Sequence, residues 1–413
     1  MIYRILGIMT GNSNDAMDLV LTEFNKDLMQ DIASYTVPYD VDFQKKMQKL
    51  REQVHHKKRA EILKMPLFQE VHDAYMTRLA VAVQDFLEDS HVPRDSVQVI
   101  GFHGKTLDHY PPSQAKKNGD IPYTLQMGSG QRLADLTQIP VVYDFRSAPI
   151  KAGLEGAPLI PLHTLHIAKK EGNGCYFNGG NTANFSWIQN EKILASSDTG
   201  PFNAYVDAFV QQAGYGSFDE DGKLGMKGTV QKDLLPALFQ ADEVFYTAPL
   251  PKSGDPQYYH QDIVFERLQG VKFPDALRTL EYLAAYTALY GLSLIPGKSP
   301  LLGQFYLFGG GWKNPLIEKD FTDFLMGKNT PLPGHEKQIN AFLARLDDVN
   351  VQYSPFGQMM EARLMADMAY FFLGQRPWIF QTPDGLEKKI LCGRLARPNG
   401  MIQGDELNQA ALE

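Results

Sequence analysis

Cysteine is scarce. Cys175 and Cys392 are the two in 413 residues, with no C-x-x-C pair and no histidine at zinc spacing, which excludes a disulfide scaffold and a cysteine-built zinc module. Positive charge is in deficit as well: 40 Lys and Arg against 48 Asp and Glu leave a net charge of −8. Such a surface repels nucleic acid unless a local basic patch intervenes. The basic run His55-His56-Lys57-Lys58-Arg59 has no aromatic platform or recognition motif beside it and reads as a solvated helix face. Apolar runs of about 18 uncharged residues are missing, so no membrane-spanning helix is expected. The opening Met1–Gly7 turns glycine-rich too early for a signal peptide. The expectation is a protein of a reducing, cytoplasmic compartment with no nucleic-acid or membrane partner; monomer and homodimer both stay open.

What is present is an ordinary globular composition. Hydrophobic residues make up 44% and aromatics 11%, enough to bury cores and to exclude a disordered chain. The length predicts two or three domains. Tyr3–Ile8 reads as a buried strand and Asp18–Phe24 as its partner, with Met9-Thr10-Gly11-Asn12-Ser13-Asn14-Asp15-Ala16 as the small, polar tip. A charged helical region runs from about Asp42 to Glu88. A second strand–turn–strand unit begins at Gly174 and passes through Asn178-Gly179-Gly180-Asn181-Thr182 to Phe185-Ser186-Trp187-Ile188; a short strand at Lys192–Ala195 ends at Ser196-Ser197-Asp198-Thr199-Gly200-Pro201. Strand Phe305–Phe308 enters Gly309-Gly310-Gly311, and a helix starts near Asn314-Pro315, where proline suits the first turn. Met359–Leu373 is an apolar helix whose methionines read as core packing. Gly104-Lys105-Thr106 looks like a P-loop fragment, but Val99 stands where a Walker A loop needs glycine.

Three small-residue turns that each follow a strand carry the chemistry. Glycine lets backbone N–H groups approach phosphate oxygens, and Ser, Thr and Asn add neutral donors. Gly11, Asn12 and Ser13 in the first turn, Asn178, Gly179 and Gly180 in the second, and Gly309, Gly310, Gly311 and Asn314 in the third are therefore the candidate ATP contacts. Duplicated hairpins with such turns imply an α/β fold of two similar lobes around a nucleotide cleft, the layout of the actin, Hsp70 and sugar-kinase superfamily. Asp15 and Asp18, near the first tip, are candidate Mg²⁺ holders, directly or through water, with turn capping as the alternative. Asp198, before Thr-Gly-Pro, is the candidate general base. Glu361 opens the last apolar helix, where the helix dipole alone also favours a carboxylate.

The residues resemble a known family. Gly7-x-Met9-Thr10-Gly11-x-Ser13-x-Asp15-x-x-Asp18 resembles the opening signature of the anhydro-N-acetylmuramic acid kinases. His103-Gly104-Lys105-Thr106, Val141-Val142-Tyr143-Asp144-Phe145-Arg146, Gly156-Ala157-Pro158-Leu159, Asn178-Gly179-Gly180-x-x-Ala183-Asn184, Asp198-Thr199-Gly200-Pro201-x-Asn203, Gly309-Gly310-Gly311-x-x-Asn314-Pro315 and Met360-Glu361-Ala362 continue it in order. The resemblance implies two RNase H-like lobes, residues 1–135 with 359–413 and residues 136–358. It implies an ATP- and Mg²⁺-dependent kinase that hydrolytically opens 1,6-anhydro-N-acetylmuramic acid from peptidoglycan turnover and phosphorylates O6. It further implies Asp198 as base, with His103, Asp144, Arg146 and Glu361 on the sugar. For Asp144 and Arg146 the alternative is a structural ion pair. The chain departs from the family pattern at Asn12, Ala16, Glu155, Asn181 and Phe202, and its Lys252-Ser253-Gly254-Asp255-Pro256-Gln257 loop lacks the family's Arg-Glu pair. A catalytically silent sugar or nucleotide sensor, and a hydroxyl-directed sugar kinase of the same superfamily, are the alternatives.

Overall fold

The computed structural model describes residues 2–11, 14, 16–26, 28–54, 57–254, 259–328, 332–357, 359–381 and 386–399. These form two compact units, Met1–His163 with Met359–Glu413, and Thr164–Gln358. The break thus falls later than the 135/136 boundary expected from sequence. The reason is a strand: Val141–Tyr143 hydrogen-bonds into the sheet of the first unit, which carries Asp144 and Arg146 with it.

In the first unit, β1 (Ile2–Thr10), β2 (Ala16–Asn25) and β3 (Leu28–Pro38) form an antiparallel meander. β4 (Val99–Phe102) then pairs parallel to β1, and β5 (Val141–Tyr143) parallel to β4. A short strand, Arg394–Ala396, closes the edge beside β5. The sheet order is β3-β2-β1-β4-β5. β3 went unread in the sequence because, Met29 apart, its side chains are exposed or half-exposed and its apolar alternation is correspondingly weak. The charged region after it folds as helices Val41–Val54, Arg59–Ile62 and Pro66–Asp89, which bury Phe43, Met47, Leu50, Tyr75 and Leu79 among the sheet residues. Lys57, Lys58 and Arg59 of the basic run are exposed, while His55 and His56 lie outside the described residues. Helix Met360–Leu373 packs on β1 and β4. Gly7 and Gly101, neighbours in the parallel register, make this approach possible: a Cβ on either would run into the Ala362 or Met365 backbone carbonyl.

The second unit repeats the plan. β6 (Gly174–Gly179), β7 (Thr182–Gln189) and β8 (Lys192–Pro201) form the meander. β9 (Leu301–Phe308) pairs parallel to β6, and β10 (Leu346–Tyr353) parallel to β9, giving the order β8-β7-β6-β9-β10. Two sheets with the same order and the same sequence of antiparallel and parallel pairings are the duplicated RNase H-like architecture expected of the actin and sugar-kinase superfamily. Helix Phe273–Ser293 is buried along nearly its whole length in this unit's core, with Trp187, Trp312 and Phe321 around it. Among the described residues no helix is long and apolar enough to cross a membrane.

Candidate functional site

Two of the three glycine turns belong to the second unit and lie side by side. The parallel register of β6 and β9 sets Asn178 opposite Phe308, so the turns leaving both strands adjoin. Gly179 and Gly311 are there for packing. A Cβ on Gly179 would sit 2.8 Å from Phe202 and from Trp312, and one on Gly311 2.6 Å from Phe202. Gly310 and Gly180 differ: a Cβ on Gly310 would meet nothing within 4 Å, and one on Gly180 nothing nearer than 3.4 Å. The space in front of these two backbones is what a phosphate group would occupy, so the turns fit the nucleotide that the fold implies. Asn314 is buried. Its Oδ1 accepts the Leu316 N–H (3.0 Å) as N-cap of helix Pro315–Leu325, and its Nδ2 donates to Glu281 Oε1 (2.8 Å). Its side chain thus orients the helix that follows the glycine turn. Phe202 does not line an opening. Its ring is 1% exposed and lies 4.7 Å from the Trp312 ring.

Asp198 lies inside β8, not at its end as expected from sequence. β8 continues through Pro201, with Asp198 opposite Asn184 and a register shift between Asp198 and Gly200. The bulge turns the strand without ending it. Asp198 Oδ2 accepts the Gly254 N–H (2.8 Å), Ser253 also bonds the carboxylate, and the Asp198 N–H donates to the Lys252 carbonyl (3.0 Å). Ser197 Oγ binds the same loop through the Lys252 N–H and carbonyl. Burial pushes the Asp198 carboxyl up to about 6, against the lowering effect of these donors and of Lys252. Lys252 is pushed down to about 8 by burial, while its ammonium donates to the Phe245 and Tyr246 carbonyls. Sequence reading omitted Ser253 and Gly254; the loop stood out only as a departure from the family pattern, and its Asp255, Pro256 and Gln257 lie outside the described residues.

The first unit holds the remaining candidates. Asn12, Ser13 and Asp15 lie outside the described residues. Thr10 is buried between the Tyr39 and Tyr75 hydroxyls (2.9 and 3.1 Å), and the Gly11 carbonyl accepts from the buried Lys105 Nζ at 2.5 Å. Asp18 stands in β2, opposite Met9 of β1, and its Oδ1 accepts from Thr36 Oγ1 of β3 (2.7 Å). Among the described residues no group of three or more His, Cys, Asp or Glu side chains gathers as a metal centre.

Asp144 and Arg146 do not pair with each other. Asp144 lies 3.3 Å from Arg394 Nε on the sheet edge, so the ion pair weighed for it from sequence exists with a different partner. Arg146 Nε donates to His103 Nε2 (2.8 Å), and Arg146 Nη1 to the Gly156 carbonyl (2.8 Å). Burial lowers Arg146 to about 10, with the Glu361 charge opposing the shift. Glu361 itself is exposed in the first turn of helix Met360–Leu373. His103 is buried, and its Nδ1 lies 2.7 Å from the Gly104 carbonyl. Expected as a sugar contact, it has both ring nitrogens engaged within the protein. Glu155, another departure from the family, caps helix Pro112–Asn118: its carboxylate accepts from Ser113 N (3.1 Å) and Ser113 Oγ (2.6 Å).

The family model for anhydro-N-acetylmuramic acid kinase matches residues 3–339, a span that includes every candidate named above except Glu361. The anhydro-N-acetylmuramic acid kinase of Zymomonas mobilis is 32% identical over 332 residues, covering 78% of this chain and 84% of that one. That of Brucella anthropi is 31% identical over 320 residues, covering 76% and 82%. Of solved structures, component A of the (R)-2-hydroxyglutaryl-CoA dehydratase of Acidaminococcus fermentans matches at a TM-score of 0.42 and 10% identity, over 88% of this chain and 96% of that one. On the strength of the family match over residues 3–339 and the two curated relatives, this chain belongs to the anhydro-N-acetylmuramic acid kinase family of sugar kinases.

Proposed function

We propose that the chain uses ATP to open 1,6-anhydro-N-acetylmuramic acid with water and to phosphorylate its O6, in the cytoplasmic recycling of peptidoglycan. The substrate has no free 6-hydroxyl, because O6 closes an internal acetal to C1. A water oxygen must bond to C1 while the C1–O6 bond breaks, and the released O6 takes the phosphoryl group. The observation that carries the reading is Asp198, a half-buried carboxylate raised to about 6 and aimed by the Gly254 N–H. At neutral pH it stays ionised yet is more basic than an ordinary carboxylate, which suits it to take the proton from the attacking water. ATP, when bound, supplies the phosphoryl group, and Mg²⁺ neutralises charge on its phosphates. Gly180 and Gly310 offer backbone to those phosphates, while Gly179, Gly309 and Gly311 let the turns pack closely beside Asn178. Asp18, with Asp15, would hold Mg²⁺ through water, since that ion keeps several of its waters. Arg146 grips the lactyl carboxylate of the sugar, and Glu361 stands within electrostatic reach of that guanidinium.

Purified protein with ATP, Mg²⁺ and a panel of anhydro and reducing sugars in ¹⁸O-water tests this by mass spectrometry. The expected product is the 6-phosphate of N-acetylmuramic acid with one ¹⁸O at C1 and none in the phosphate. Asp198→Asn should lower turnover by about 10³-fold while leaving nucleotide affinity within a factor of two. Nucleotide binding without any phosphosugar, or an unlabelled product from a reducing hexose, overturns the assignment.

A further inference from the structure

His103 has no nitrogen left for a ligand, and its two bonds define what it can do instead. The Gly104 carbonyl can only accept, so His103 Nδ1 carries the proton, and Nε2 is left with a lone pair that receives the Arg146 Nε–H at 2.8 Å. Burial, reinforced by the Arg146 and Lys105 charges, pushes the imidazole down to about 3, so it stays neutral throughout the working range. The Gly104 carbonyl faces the ring because Gly104 has a left-handed backbone (φ +79°), and a Cβ there would lie 2.6 Å from the Met127 carbonyl. The other hold on Arg146 is similar in kind: Nη1 donates to the carbonyl of Gly156, also left-handed (φ +68°).

Both acceptors that hold the guanidinium are therefore neutral. A carboxylate in either place would neutralise the fork; an imidazole lone pair and a peptide carbonyl fix its plane without doing so. The Glu361 charge acts on Arg146 from the exposed first turn of its helix and leaves both fixed contacts neutral toward an incoming anion. Asp144, the acid nearest in sequence, is drawn off to Arg394. We propose that His103 is a positioning residue: through its neutral Nε2 it aims the Arg146 fork at the substrate carboxylate, and it thereby sets the preference of this chain for a carboxylated sugar. This rests on the reading of Arg146 as the carboxylate grip.

The test compares 1,6-anhydro-N-acetylmuramic acid with 1,6-anhydro-N-acetylglucosamine, which lacks the lactyl carboxylate, by calorimetric titration of the full-length protein. For wild type the carboxylated sugar should bind the more tightly. His103→Phe should weaken binding of the carboxylated sugar about ten- to hundredfold, the range of a charge-assisted contact, and leave the neutral sugar within twofold. His103→Gln, whose amide oxygen can accept from Arg146 Nε, should restore most of the preference. Adding His103→Phe to Arg146→Met should cost nothing further, because the two act as one unit. Equal losses for both sugars in His103→Phe, or an unchanged preference, would overturn the proposal and reduce His103 to a packing residue. The neutral sugar also serves as the check on folding. If wild type binds neither sugar, the functional reading itself fails, and that outcome is visible before any variant is made.

Discussion

A carboxylate that takes a proton from water works best when its pKa approaches the working pH. Asp198 meets this condition because desolvation, which favours the neutral acid, outweighs the Gly254 and Ser253 donors that favour the anion. The protonated form is inactive as a base, so kcat/KM should fall about tenfold per pH unit below about 6 and level off above it. A pH–rate profile of the wild type checks this, and a flat profile between pH 5 and 7 would remove Asp198 from the role. The residues that depart from the family pattern mostly have structural occupations here. Glu155 caps a helix. Phe202 lies against Trp312 in the core. Asn181 serves through its backbone carbonyl, which accepts from the Phe202 and Ala204 amides (2.8 and 3.2 Å). None of the three is a reason for the site to have lost its chemistry.

At the scale of elements, glycines do different work. Gly101 lies in β4 beneath helix Met360–Leu373, where a Cβ would collide with a backbone carbonyl that cannot move without unwinding the helix. Gly101→Ala should therefore destabilise the protein by about 3 kcal/mol or more, read by urea unfolding. Gly310 has open space where its Cβ would go, and its φ is not in the left-handed region. Gly310→Ala should change stability by less than about 0.5 kcal/mol and weaken ATP binding about tenfold, the equivalent of one charge-assisted hydrogen bond. If ATP binding in Gly310→Ala matches wild type, Gly310 is not part of the phosphate cradle. Most of the sheet strands, the two glycine turns of the second unit and the last apolar helix were legible in the sequence because each is a local pattern of apolar period and small residues. The edge strands β3 and β10 were not, since both carry mostly exposed or half-exposed side chains and have no strong apolar alternation, and the end of β8 was misplaced because a bulge looks locally like a turn.

On the scale of the whole molecule, the two units share one sheet order yet differ in their buried ionisable groups. Glu281, on the long core helix of the second unit, is fully buried beside Asp219 and Asn314. Burial, with Asp219 adding to it, raises its carboxyl from the ordinary 4.5 to about 8. The folded protein therefore binds a proton that the unfolded chain has already lost, and stability should fall as pH rises from about 4.5 to about 8. The slope approaches 1.4 kcal/mol per pH unit at its steepest. Glu281→Gln keeps the shape without the titration, so its melting temperature should depend less on pH and exceed that of wild type at pH 8. Equal pH dependence in the two proteins would assign the proton elsewhere.

The sequence by itself determined the duplicated hairpin plan and the family, and it named the candidate residues, because strand period, turn chemistry and an ordered series of short motifs are written in neighbouring residues. Only the tertiary structure decided which partners in the chain hold those candidates. Arg146 is held by His103, 43 positions away, and not by Asp144 two positions away. Asp198 is aimed by a backbone amide 56 positions along the chain. Partners so distant are chosen by strand register and burial, which no local pattern encodes.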